Sequence, residues 1–125
     1  MYRHLTLIMV FALTPFIPSQ ASDFVSGDKL ATLIIGKTIH GTHLKKGFEF
    51  SVYFDKDGKT ALRKKQNGDI VKTTYRFDGN THCIFWKGKD RCAKVMDNGD
   101  GTYTRISSSG LKIVKWTKLD TGNKL

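Results

Sequence analysis

The chain has 125 residues, with 21 lysines and arginines against 11 acidic residues and a net charge of +10. That length accommodates one domain with a modest core. The charge draws the protein toward polyanions and says nothing about its fold.

Residues 1–21 have the three-part layout of a secretory signal peptide. Arg3 and His4 form a basic start, Leu5–Leu13 is apolar except for Thr6, and Pro15 and Pro18 follow. Ser19-Gln20-Ala21 then offers small residues for cleavage. The apolar run is shorter than the ~20 residues a transmembrane helix needs. No later stretch could span a bilayer, and the residue directly after Ala21 is Ser22 rather than the cysteine that would carry a lipid anchor. The expectation is a periplasmic or secreted protein whose single domain occupies residues 22–125. In an oxidising compartment its two cysteines, Cys83 and Cys92, are expected to form one disulfide.

Asp23–Ile35 is the one segment with helical periodicity. Leu30, Leu33 and Ile34 share a face, Ser26 is placed to cap the start, and Gly36 to end it. Lys37–Leu44 reads as a weak first strand. In Phe48–Phe54, Phe48, Phe50, Val52 and Phe54 alternate with Glu49, Ser51 and Tyr53, the period of a half-buried strand. Further strands follow at Thr60–Lys65, Ile70–Phe77, Thr81–Lys87, Arg91–Met96, Thr102–Ile106 and Leu111–Thr117. Turn segments rich in Asp, Asn, Ser and Gly separate them. The pattern is all-β: about eight short antiparallel strands in a meander, plus one short N-terminal helix. Such a meander hides its edges by closing into a small barrel or strongly curved sheet.

The hairpin holding Cys83 and Cys92 reads as a disulfide-stapled scaffold element. Alternation places Ile84, Trp86, Ala93 and Val95 inside and the disulfide toward the outer face. Phe48, Phe50, Phe54 and Trp86 are the expected core anchors. No metal or cofactor is expected. Asp55-x-Asp57-Gly58 and Asp97–Gly101 lack the further oxygen ligands of a calcium loop and are explained as turns. His40 and His43 have opposite parity, which argues against a shared metal. No catalytic constellation can be named from the residue order, so an enzyme is not expected.

Lys59, Arg63, Lys64, Lys65, Lys72 and Arg76 fall on two consecutive strands. They are the expected anion-binding group on the outer face. Aromatic residues fall mostly on the inner face, which disfavours nucleic acid.

Several short motifs follow one another: Leu33-Ile-Ile-Gly-Lys-Thr-Ile-His-Gly41, Tyr53-Phe-Asp-Lys-Asp-Gly58, Cys83-x-x-Trp86, Cys92, Gly99-Asp-Gly-Thr-Tyr103 and Gly122-Asn123. In this order the chain resembles a family of small exported proteobacterial β-proteins of unknown function. The resemblance implies a calycin-like antiparallel barrel or sheet with one disulfide, and it transfers no activity. Bacterial lysozyme inhibitors share that general build, but their inhibitory loop has no match here, and a basic protein repels a basic lysozyme.

The first functional expectation is a non-enzymatic envelope binding protein. Its basic face would contact anionic lipid, lipopolysaccharide or acidic glycan. The alternatives are a small lipocalin-like carrier of an apolar ligand and an envelope-enzyme inhibitor. The carrier requires a cavity, and an interior filled by Phe48, Phe50, Val52, Phe54 and Trp86 would exclude it.

Overall fold

Alternating apolar residues separated by tight turns fold into an up-and-down barrel. The structure is a computed structural model that describes residues 23–125, and the expected signal peptide lies outside the described residues. The elements are β1 (Asp23–Phe24), α1 (Gly27–Ile34), β2 (Lys37–His43), β3 (Glu49–Phe54), β4 (Thr60–Lys64), β5 (Ile70–Asp78), β6 (Thr81–Trp86), β7 (Lys89–Asp97), β8 (Tyr103–Ile106) and β9 (Lys112–Thr121). Consecutive strands from β2 to β9 pair antiparallel, and β9 returns to pair with β2. The eight-stranded barrel is therefore closed. No helix among the described residues is long and apolar enough to cross a membrane.

The closing seam carries an irregularity, and a second register shift lies between Arg105 and Ile106 where β8 pairs with β9. The β2–β9 register shifts between His40 and Gly41: His40 faces Lys118 but Gly41 faces Trp116, so Thr117 is the extra residue of a bulge. Gly41 is required there. A Cβ at this position would lie 2.5 Å from the Lys115 carbonyl oxygen and 2.8 Å from Cζ of Phe50.

The helix seals one end. Leu30 and Ile34 are fully buried and join Ile39, Phe54, Ala61, Tyr75, Val95 and Trp116 in one cluster. The helix is shorter than its periodicity suggests. Asp23 and Phe24 instead form β1, opposite Asp97 and Met96 of β7, and Val25 N–H donates to the Val95 carbonyl at 2.8 Å. The reason is local: β6 pairs with β7 only as far as Ala93, and β1 takes up the backbone groups beyond it. Ser26 holds the N-cap position, but its side chain makes no capping hydrogen bond. The Gly27 N–H donates instead to Asn80 Oδ1 at 2.8 Å.

Among the expected anchors, Phe54 is 1% exposed, whereas Phe48, Phe50 and Trp86 are half-buried. Trp116, which the alternation did not single out, is the largest fully buried side chain. The Cys83–Cys92 disulfide joins directly opposed residues of β6 and β7. Their hairpin turns at Lys87-Gly88, one residue earlier than expected, with both residues at positive φ as a two-residue turn requires.

Gly41→Ala is expected to destabilise the fold by about 1–3 kcal/mol, because backbone and a ring must move to admit one methyl group. A urea unfolding curve with a lowered midpoint and an unchanged slope checks this.

Candidate functional site

In a closed meander, alternate turns gather at alternate ends. The β3–β4, β5–β6 and β7–β8 turns share one end with α1. The β2–β3, β4–β5, β6–β7 and β8–β9 turns surround the other. At that second end the interior is not filled. A cavity of about 940 Å³ opens there, lined from the turns by Lys46, Lys65, Asn67, Lys87 and Ser108. That size lies within the range of small-molecule sites. Its walls are apolar: Ile39, Phe50, Val52, Phe54, Ile84, Trp86, Val114 and Trp116.

The charged groups in this cavity are strongly biased. Lys46, Arg63, Lys64, Lys65, Lys87, Arg91 and Arg105 line it, against the acids Glu49 and Asp90. Both acids are exposed, and Asp90 accepts from Arg76 Nε at 2.9 Å on the outer wall.

Arg105 is the most buried of these charged groups. It is 7% exposed and donates from one terminal nitrogen to the carbonyls of His82 at 3.0 Å and Arg91 at 3.1 Å. Its Nε has no partner, and no carboxylate pairs with it among the described residues. Burial pushes its pKa down to about 10, so the guanidinium remains charged at neutral pH. Arg63 is half-buried, with its guanidinium carbon 4.3 Å from the Trp86 ring centre and 5.6 Å from that of Phe50. Burial first and the Arg91 charge second lower its pKa. An apolar chamber thus carries guanidinium groups whose own fold supplies no interior counter-charge.

The expected basic face does not form as one patch. Arg63 shares its side of β4 with buried Ala61 and faces inward, which corrects its assignment to the outer face. Lys64 and Lys65 reach the cavity rim. Lys59 lies at the helix end, Lys72 is exposed on the outer wall, and Arg76 is engaged by Asp90 and, at 3.8 Å, by Asp78. Arg91 and Arg105 were not anticipated. Their inward parity, shared with Ala93 on β7 and Tyr103 on β8, was the available signal. Cys83, Asp90 and Cys92 lie close together, but the cysteines are joined to each other and offer no thiolate.

One constellation became visible only in three dimensions. On the outer wall, His40 Nδ1 lies 2.7 Å from Ser51 Oγ, and His40 Nε2 lies 3.1 Å from Asp120 Oδ2. These residues come from adjacent strands β3, β2 and β9. Neither the barrel cavity nor the shallow groove beside α1 is lined by them. Lys118 also approaches Asp120 at 3.7 Å. A nucleophilic serine needs donors aimed at a developing oxyanion. Ser51 lies instead within paired strands, opposite His40 and Lys64. The arrangement is a polar clamp across the barrel seam.

Beneath the cavity, His82 is fully buried against the rings of Phe54, Tyr75, Phe77 and Trp116. Neither ring nitrogen has a partner. Burial foremost, then the Arg105 charge, hold its pKa well below the ordinary value.

Comparison with protein-family models, curated proteins and solved structures finds no match to this chain.

Two outcomes follow for the named side chains. Because the unfolded chain takes up a proton at His82 and the folded one does not, stability falls as pH drops below about 6.5, by roughly 1.4 kcal/mol per pH unit until the folded-state value is reached. His82→Phe is expected to remove that slope, read as the difference between two series of denaturant melts at pH 7 and pH 5. Asp120→Ala is expected to lower stability by about 1 kcal/mol through loss of the clamp, leaving cavity ligands bound as before.

Proposed function

We propose that this protein is an exported, non-catalytic binding protein whose barrel holds one amphipathic anion, an apolar body ending in an acidic group. The observation that carries this reading is Arg105: a buried guanidinium without an acidic partner, lining an open apolar cavity. A charge desolvated in this way destabilises a fold unless something compensates it. A carboxylate or phosphate entering the chamber supplies that compensation, and the aromatic and aliphatic walls take up the rest of the molecule. Export is supported by the leader-like segment and by the disulfide, which suits an oxidising compartment. The non-catalytic reading is supported by the placement of Ser51, His40 and Asp120 on a wall of paired strands.

A second reading keeps the contact with anionic envelope components such as acidic lipid, lipopolysaccharide or acidic glycan. It is favoured by the lysines gathered around the mouth rather than by the strand face first expected.

Both tryptophans of the chain, Trp86 and Trp116, line the cavity, so their emission reports its occupancy directly. Titration with palmitic acid is expected to shift that emission, and hexadecanol is expected to bind more weakly. Arg105→Met should weaken the acid by about tenfold, about 1.4 kcal/mol, and leave the alcohol unchanged. Equal affinity of the wild-type protein for acid and alcohol would remove Arg105 from the role given to it.

A further inference from the structure

The described chain exposes five large apolar side chains: Phe24, Leu44, Ile70, Phe85 and Leu111, between 44% and 67% exposed. Four of them occupy a common place. Leu44 begins the β2–β3 turn, Ile70 ends the β4–β5 turn, Phe85 precedes the β6–β7 turn, and Leu111 ends the β8–β9 turn. Each of the four hairpins at the open end therefore carries one. Each also carries exposed lysine: Lys45 and Lys46, Lys64 and Lys65, Lys87 and Lys89, and Lys112. The turns at the helix end are different. They hold Asp55 and Asp57 alternating with Lys56 and Lys59, then Asp78, and Asp97 and Asp100 without lysine. The barrel is thus polarised along its axis, basic around the mouth and net acidic in two of the three turns of the sealed end.

We infer that the open end docks on an anionic lipid bilayer, with the four hairpin tips seated at the headgroup boundary. The chemistry fits that occupant. Single apolar side chains spaced around an open mouth form no continuous packed surface for a folded partner. Leu44 and Leu111 adjoin Lys45 and Lys112 and Ile70 pairs with Lys64, while Phe85, two residues before Lys87, pairs with Asp90, so that the apolar groups enter the acyl boundary while the ammonium groups meet lipid phosphate. Net attraction comes from the basic end, and the acidic turns face away from the membrane. Docking in this orientation also places the cavity mouth against the lipid, so an amphipathic anion could pass between them without crossing water. This inference rests on the second reading above, contact with anionic envelope components, and specifies how that contact is made.

The test uses the full folded domain and vesicles. Co-sedimentation is measured with phosphatidylcholine vesicles, alone or containing phosphatidylglycerol, at about 50 and about 500 mM salt, where screening differs strongly. The protein is expected to bind the phosphatidylglycerol vesicles, and added salt to weaken that binding. Ile70→Ser combined with Leu111→Ser should weaken it by about tenfold or more at either salt concentration, since apolar insertion is lost. Phe24→Ser, at the sealed end, should bind as the parent does. All three positions are exposed, and circular dichroism checks that the variants fold. If the double variant binds as the parent does and salt abolishes binding, the contact is one of charge alone: insertion is overturned and the second reading stands. If the protein binds neither vesicle nor lipopolysaccharide nor heparin at low salt, both fall. A concentration-dependent dimer that the double variant dissolves assigns the ring to a second copy of this chain and overturns membrane docking.

Discussion

The seam between β2 and β9 is the constraint on which the rest of the molecule depends. It joins residues some 80 positions apart in the chain, as His40 and Asp120 show. Without it the meander would have two free edges open to pairing with other chains. With it, residue parity along every strand becomes a choice between interior and exterior. The seam keeps that choice consistent through the bulge at Thr117. Trp116 faces Gly41 and Leu119 faces Ile39, both on the inner side, which a regular β9 could not arrange across three positions. The same few residues place Phe50 and Trp116 around Gly41 on the inside and Ser51, His40 and Asp120 on the outside.

An eight-stranded barrel can fill its interior with side chains or leave room for one small ligand. This one divides the two solutions along its axis. Near the helix, Leu30, Ile34, Phe54, Tyr75, Val95 and His82 pack to near-complete burial. Toward the mouth, inward positions are given to Arg63, Arg91 and Arg105, whose stems lie along apolar walls. A core optimised for stability alone would place aliphatic residues there. The departure coincides with the cavity, and local rules tend to be broken where function requires it. His82 is a second departure, buried without partners directly below the cavity. Its neighbour Arg105 adds to the cost of charging it. The floor of the chamber is therefore a neutral aromatic layer beneath a fixed positive charge.

The strands and turns were legible because period-two alternation and Asn, Asp and Gly turns are local signals. The stapled hairpin was equally legible, since Cys83 and Cys92 lie nine positions apart. What escaped depended on relations between distant residues. A strand of two residues, such as β1, has no period to detect. In Thr60–Lys65 basic residues occur at both parities, and only buried Ala61 marks which side Arg63 faces. The cavity is bounded by inward residues of many elements, Ile39, Phe50, Arg63, Trp86, Arg105 and Trp116 among them. A volume of that kind is a sum over eight strands that no single stretch reveals. The clamp of Ser51, His40 and Asp120 needed the closed register before its members could meet.

The chemistry of the turns shows why the mouth carries little negative charge. Tight turns need an acceptor for the N–H groups they leave unpaired. At the sealed end aspartate does this work. Asp57 accepts from the Thr60 hydroxyl at 2.7 Å and from the N–H groups of Thr60 and Lys59 at 2.8 Å, which in that order hold its pKa down to about 2. Asp97 accepts from Gly99 N–H and Asp100 from Thr102 N–H. At the open end neutral groups take the same role. His43 Nδ1 accepts from Lys46 N–H at 3.1 Å, Asn67 Oδ1 from Asp69 N–H at 3.0 Å, and Ser107 Oγ from Leu111 N–H at 3.1 Å. His43 is suited to it, because partial burial and then Lys46, Arg63 and Lys45 lower its pKa and keep the ring an acceptor at neutral pH. Either side-chain class would satisfy the backbone, so turn formation alone does not explain the division. The division does remove acid from three of the four turns around the mouth, and it leaves the positive field of the lysines and arginines largely uncancelled where the cavity opens.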